Sequence, residues 1–351
     1  MSDARRAGDL EVRDLVADDV DGAAALLAGR QRLARARIDP LPASFEQADG
    51  CSPLVRELWS RPAVSGVVVV RAGTIVGFVL AEAVLPKPRS LVAYFFEPGT
   101  MHVPAHGHAV ASDEDPAAVY RAAYTRLSAR WVEQGALHHT VNVTAGMADV
   151  ERAWFDLGFG VSVVAASRPT GAISGDACAP VEVRSVDEGA MGDVTRLSDE
   201  LRRYQSEAPM FHPNPAATDD AWHRLHADVL ASAALQQFVA YRDGKPVGMQ
   251  TFMPPDMISP LHVPERSVYL LEGVVTRAER GAGVANALLA ESMRWAAGAG
   301  YEHCTLHYLS ANVSGAPFWL AHGFEPVDLA LSRRIDERIA WAGPGRPALA
   351  N

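Results

Sequence analysis

The stretch Val274-Val275-Thr276-Arg277-Ala278-Glu279-Arg280-Gly281-Ala282-Gly283-Val284-Ala285-Asn286-Ala287-Leu288-Leu289 decides the fold. Its apolar start predicts a strand, its middle a basic turn, and its end an amphipathic helix. Gly281 and Gly283 permit backbone conformations that a Cβ would forbid, and the first-turn N–H groups of the helix point outward without intrahelical partners. The helix dipole adds partial positive charge there, and Arg277 and Arg280 add whole charges, so a pyrophosphate fits the loop. The glycines do not form G-x-G-x-x-G with an acidic residue about twenty positions on, and no G-K-[ST] follows, which sets aside the dinucleotide and P-loop motifs.

Further motifs follow in order. Glu302 to Leu309 reads as another strand, and after it come Asn312-Val313-Ser314-Gly315-Ala316-Pro317-Phe318-Trp319 and His322-Gly323-Phe324. Together with Arg280-Gly281-x-Gly283-Val284-Ala285, this series resembles the acyl-CoA-binding motifs of the GNAT superfamily of N-acetyltransferases. The resemblance implies an α/β (α+β) fold, with a mixed, mostly antiparallel sheet flanked by helices and splayed in the middle. It also implies acetyl-CoA as co-substrate. By resemblance the backbone of Val274 and Val275 pairs with the pantetheine arm as an added strand would. One of their N–H groups polarises the thioester carbonyl. Thr276, Arg280, Gly281, Ala282, Gly283, Val284 and Ala285 form the cofactor loop. Asn312 either bonds the CoA arm or caps a helix; Phe318 either packs on the cofactor or fills the core.

A length of 351 residues favours two domains. A charged fraction of 21% and a hydrophobic fraction of 48% fit a globular protein, and no apolar run reaches the roughly eighteen residues of a membrane span. The N-terminal residues carry mixed charge without the apolar core of a secretory signal, and three distant cysteines, Cys51, Cys178 and Cys304, fit a reducing setting. A cytoplasmic location is expected, with no membrane partner. The net charge of −10 disfavours nucleic acid and permits a cationic amine substrate.

The chain repeats itself. Val67–Val70, Arg71-Ala72-Gly73-Thr74 and Ile75–Leu80 read as a hairpin, as do Gln237–Tyr241, Arg242-Asp243-Gly244-Lys245 and Pro246–Phe252. Ser128–Trp131 parallels Ser292–Trp295, and Trp154 to Gly158-Phe159 parallels Trp319 to Gly323-Phe324. The offsets, about 165 to 171 residues, suit a duplicated domain and are too long for a solenoid. The expected division is a degenerate GNAT-like domain over 1–167, a linker over 168–180 rich in small residues, and a catalytic domain over 181–351. The halves differ chemically. Where the second has its basic turn, the first has Ala111-Ser112-Asp113-Glu114-Asp115-Pro116, whose carboxylates would repel a pyrophosphate. The first half is then a wall of the acceptor site, a dimer surface, a regulatory site, or a scaffold.

Transfer to an amine needs a neutral amine, a polarised carbonyl and a departing thiolate. Glu272, in Leu270-Leu271-Glu272-Gly273, is the expected base; the alternative is a strand carboxylate paired with an arginine. The same Leu-Glu-Gly arrangement resembles aminoglycoside-type acetyltransferases. Trp319 stands where many GNATs have a tyrosine that protonates the thiolate, and indole is no useful proton source. Tyr308 and Ser314 are substitute acids. A thiol pKa near about 8.5 lets the thiolate leave without full protonation. His102, His106 and His108 share one face if extended but read as solvated histidines on a strand, and no metal site is expected. Glu207–Pro215 is proline-rich, a lid on the acceptor side or a plain connector. The expected reaction is direct acetyl transfer in a ternary complex to the primary amine of a small molecule, by a monomer or homodimer. The alternatives are a non-catalytic acyl-CoA sensor or interaction module, and a relative of the mycothiol synthases, which are also tandem GNATs.

Overall fold

A computed structural model describes residues 9–171, 180–232 and 235–339. The first half carries β1 (Glu11–Asp14), α1 (Val20–Arg35), α2 (Ala48–Ser60), β2 (Val64–Arg71), β3 (Thr74–Val84), α3 (Val92–Phe95), β4 (Thr100–Val103), β5 (His108–Val110), α4 (Pro116–Glu133), β6 (His138–Thr144), α5 (Ala148–Asp156) and β7 (Gly160–Pro169). The second carries β8 (Glu182–Ser185), α6 (Met191–Ser206), α7 (Asp219–Ala231), β9 (Gln236–Arg242), β10 (Lys245–Met253), β11 (Ser267–Val275), α8 (Val284–Gly298), β12 (His303–Leu309), α9 (Gly315–Ala321) and β13 (Glu325–Arg334). The fold is the expected mixed, mostly antiparallel sheet with flanking helices; β4 with β6 and β11 with β12 are its parallel pairs. Of the expected linker, residues 172–179 lie outside the described residues, as does Cys178.

Local chemistry accounts for the repeated elements. Both hairpins turn on two residues with positive φ, Ala72 at 48° with Gly73 at 78° and Asp243 at 50° with Gly244 at 73°. Such turns match the right-handed twist of the strands they join. In α8 the buried side chains are Val284, Leu288, Leu289, Ser292, Met293 and Ala296. That spacing lays one stripe on the sheet.

The strand order is β1-β2-β3-β4-β6-β13-β7-β12-β11-β10-β9-β8. The last strand of each half therefore lies in the other. β7 pairs with β12 from Leu309↔Val163 to His303↔Pro169, and β13 pairs with β6 from Asp328↔Thr144 to Arg334↔His138. The exchanged strands also pair with each other. Leu331 belongs to the core of the first half, and Val164 and Ala166 to that of the second. A fragment of residues 181–351 would lack β7 and leave facing edges of β12 and β13 unpaired. Unpaired apolar edges template aggregation. We expect that fragment to be poorly soluble or to lose nearly all activity; a soluble, fully active fragment in size-exclusion chromatography and turnover assays would contradict this.

Candidate active site

The parallel ladder between β11 and β12 ends at Leu270↔Leu306, beyond which β12 pairs only with β7. Leu271 to Val275 thus have no strand paired to the edge that faces the gap, within the second half's part of the sheet. On the other side of β11, Thr251 lies opposite Glu272 and Phe252 opposite Leu270, so Leu271 is the extra residue of a β-bulge. Bulges bend a strand and re-aim its side chains. Two residues on, Gly273 leaves little room for a side chain: an added Cβ would lie 3.1 Å from Trp319 Cζ2.

The loop after β11 has the geometry its glycines demand. Gly281 has φ 77° and Gly283, the residue before α8, φ 78°. No side chain caps α8, so its first N–H groups are left for a ligand. Arg280 lies over the Tyr204 ring at 4.0 Å from its centroid and donates through Nε to Val275 O at 3.3 Å. Arg277 turns away to Glu207, with Nη2 2.6 Å from Oε2, and its backbone N–H donates to Glu200 at 3.0 Å.

Glu272 is 3% exposed and sits in a buried polar chain. Arg202 Nη1 donates to Ser198 Oγ at 2.6 Å, and Ser198 Oγ donates to Glu272 Oε1 at 2.7 Å. The partner is thus a serine, which an arginine on the same helix α6 orients. His226 Nε2 stands 3.2 Å from Glu272 Oε2 but off the line of a hydrogen bond, and Oε2 has no donor among the described residues. Burial outweighs the nearby carboxylate and pulls the His226 pKa down, and the Arg202 charge adds to the lowering. His226 is therefore neutral at pH 7.

One cavity of about 1660 Å³ brings most of the expected residues together. Glu272, Val274, Val275, Arg280, Gly281, Gly283, Val284, Ala285, Tyr308, Asn312, Ser314 and Phe318 line it; Thr276 and Ala282 do not. Burial raises the Tyr308 pKa, so its hydroxyl keeps its proton at neutral pH. Asn312 stands two residues before Ser314, the N-cap of α9, and its Oδ1 accepts from Gly315 N at 2.8 Å and from Ser314 N at 3.2 Å. Ser314 Oγ is hydrogen-bonded to Tyr204 Oη at 2.7 Å. Trp319 is buried against Phe324 and beneath Gly273. Phe318 touches both core and cavity.

The first half has closed its equivalent gap. Past Val103↔Val141 the β4–β6 ladder gives way to a turn, and buried Arg30 donates to Ala105 O and His108 O, each at 2.6 Å. His108 is fully buried, so the expectation of solvated histidines on one strand face does not hold. Its Nδ1 meets Tyr120 Oη at 2.7 Å and its Nε2 meets Asn142 O at 2.9 Å, while Ala105–Gly107 form a helical turn that breaks the strand. Among the described residues no cluster of three or more His, Cys, Asp or Glu is placed to hold a metal. The acidic turn is internally satisfied: Arg71 Nε pairs with Glu114 at 2.9 Å, and Asp115 caps α4 by accepting from Ala117 N at 3.0 Å. A helix start filled by its own carboxylate offers no anion site.

Burial also pulls His102, His106, His139 and His307 down to about 4. In the unfolded chain they protonate near 6.5. The unfolded state therefore binds more protons between these values, and stability present above pH 6.5 is lost as pH falls toward 4, by about 1 kcal/mol per pH unit for each histidine. Urea midpoints at pH 7.5, 6 and 5 are expected to fall steeply in that order; a midpoint constant to pH 5 would contradict the burial argument.

Ser198, Arg202, Tyr204 and His226 are not singled out by the sequence, and the first half, expected as a wall of the acceptor site among other readings, lines the cavity through residues the sequence did not name. Only His226 leaves a trace, a histidine on the apolar face of α7 with Trp222 and Val229.

Residues 197–324 match the model of the acetyltransferase (GNAT) family. No curated protein matches the chain. Among solved structures, a GCN5-related N-acetyltransferase from Sphaerobacter thermophilus is similar at 15% identity and a TM-score of 0.56, over 93% of this chain and 95% of that one. A GCN5-related glucosamine N-acetyltransferase region of a fungal multi-domain GH3 β-N-acetylglucosaminidase is similar at 14% identity and 0.53, over 93% of this chain and 38% of that one. A tandem GNAT protein from the clavulanic acid biosynthesis pathway is similar at 15% identity and 0.47, over 93% and 98%. At these identities the likeness to the first two is one of fold alone. Among the described residues no helix is long and apolar enough to cross a membrane.

Proposed function

We propose, from the premise that residues 197–324 form a domain of the acetyltransferase (GNAT) family, that the protein transfers an acetyl group from acetyl-CoA to the primary amine of a small molecule. The setting is the cytoplasm, and transfer is direct, within a ternary complex. The observation that carries this reading is Glu272: a buried carboxylate with one oxygen lacking a donor, in the wall of the cavity that also holds the glycine loop.

The roles follow from chemistry. The free edge at Val274 and Val275 binds the pantetheine arm, and an N–H there polarises the thioester carbonyl. The loop from Arg280 to Ala285 takes the pyrophosphate, with Thr276 at its entry. Ser198 fixes the rotamer of Glu272 and leaves Oε2 to take the proton of the attacking amine. The amine nitrogen bonds the carbonyl carbon, the C–S bond breaks, and the departing sulfur receives a proton from Tyr308 or from solvent. Ser314, hydrogen-bonded to Tyr204 and Asn312, positions α9 beside the cofactor. The acidic turn and the Arg30 plug of the first half restrict acyl-CoA to one site per chain. The test is a panel of primary amines assayed for CoA release with acetyl-CoA, with calorimetry for stoichiometry. Turnover on at least one amine and one acetyl-CoA per chain are expected; two equivalent sites, or binding with no transfer to any amine, would overturn the reading.

A further inference from the structure

The cavity is larger than the few hundred to about 1000 Å³ usual for one small ligand, and the part away from the glycine loop is walled by aromatic rings from three separate segments. Tyr94, in α3 of the first half, stacks on His212 of the proline-rich segment with centroids 4.8 Å apart and meets Trp222 of α7 edge-on at 5.1 Å. Its hydroxyl donates to Gln205 at 3.1 Å. Phe95 meets Tyr94 at 5.1 Å and Trp222 at 6.3 Å. Trp222 stacks in turn on His226 at 6.2 Å, which lies beside Glu272. A run of rings therefore leads from the buried carboxylate to the surface.

At the mouth the apolar surface is open. Phe95 is 40% exposed and Phe211 71%, and Val92 and Met257 are exposed as well; all four line this cavity. Phe211 is held at φ 47°, a left-handed conformation that costs a residue with a Cβ about 1–2 kcal/mol. Large apolar side chains gathered at the rim of a cleft, one of them in a strained backbone, mark a ligand surface.

We infer that the acceptor is a primary amine carried on a flat aromatic body, its ring seated among Phe95, Phe211 and the Tyr94–His212 stack and its ammonium directed inward to Glu272. The Glu272 carboxylate at one end of the run of rings and the exposed aromatic side chains at the other match the two ends of such a molecule. Residues 92–96 of the first half thereby determine the specificity of a reaction carried out in the second. The inference rests on the acyl-transfer reading of the cavity.

The test compares 2-phenylethylamine with n-butylamine and with a polyhydroxylated amine such as glucosamine, in wild type and in Phe95→Ala and Phe211→Ala. Phe211→Ala changes a side chain that is 71% exposed, whereas Phe95→Ala also removes ring contacts with buried Tyr94 and Trp222, so Phe211→Ala keeps the test readable if the other variant perturbs the fold. Wild type is expected to favour 2-phenylethylamine by about tenfold or more in kcat/KM. Each variant should raise its KM by about tenfold with kcat and acetyl-CoA affinity little changed, and shrink the preference. Equal or greater efficiency with n-butylamine or glucosamine, or a preference untouched in both variants, would overturn the inference while leaving acetyl transfer established. Quenching of tryptophan fluorescence by 2-phenylethylamine, in the presence of CoA, separates the two readings. Saturable binding weakened by Phe95→Ala, with no transfer to any amine, would retain the aromatic site and remove the reaction; no saturable binding and no transfer would overturn the inference as well.

Discussion

Glu272→Gln is expected to bind acetyl-CoA as the wild type does and to lose turnover by about 10²-fold or more. Glutamine preserves the shape, and its carbonyl oxygen can still accept from Ser198, so the polar chain through Arg202 and Ser198 stays joined. What it removes is the lone pair that takes the proton. The residual rate should climb as pH approaches the pKa of the amine, because solvent then supplies the neutral nucleophile. Steady-state kinetics over pH 6 to 10, with calorimetry of acetyl-CoA binding, measure both. Unchanged turnover would remove Glu272 as base; lost turnover with equally lost cofactor affinity would assign it a purely structural part.

Gly283→Asp is expected to weaken acetyl-CoA binding by about 10²-fold or more, from two additive causes. The φ of 78° would force an L-residue into the left-handed region, at about 1–2 kcal/mol. The new carboxylate would stand at the start of α8, where the pyrophosphate is to bind, and repel it. Gly283→Ala carries only the first cause and should cost about tenfold or less. Calorimetry on the pair separates strain from charge. Equal losses would mean that no anion is bound at this helix start, and unchanged affinity in both would remove the loop from the cofactor site.

The strand, glycine turn and helix from Val274 to Leu289 were legible because each rests on neighbours in sequence: apolar run, glycine, amphipathic stripe. The hairpins at Ala72-Gly73 and Asp243-Gly244 were legible for the same reason. The chemistry around Glu272 was not. Ser198 lies 74 positions from it, and only the packing of α6 beneath β11 brings them to 2.7 Å. His108 was misread because alternation along one strand says nothing of Arg30, 78 positions away, whose guanidinium closes the space behind it. The strand exchange was equally hidden. β7 and β13 carry apolar patterns that suit either half, and the choice between partners depends on the whole sheet.

That exchange also restricts how the protein can move. Two domains joined by a linker can open around a ligand by a hinge, at the expense of little more than a few linker dihedrals. Here any hinge between the halves would have to unzip the ladders of β6 with β13, β13 with β7, or β7 with β12. For the proposed transfer, entry of the amine, sealing of the cleft and exit of CoA would therefore fall to segments that line the cavity without belonging to the sheet, residues 92–96 and 207–215.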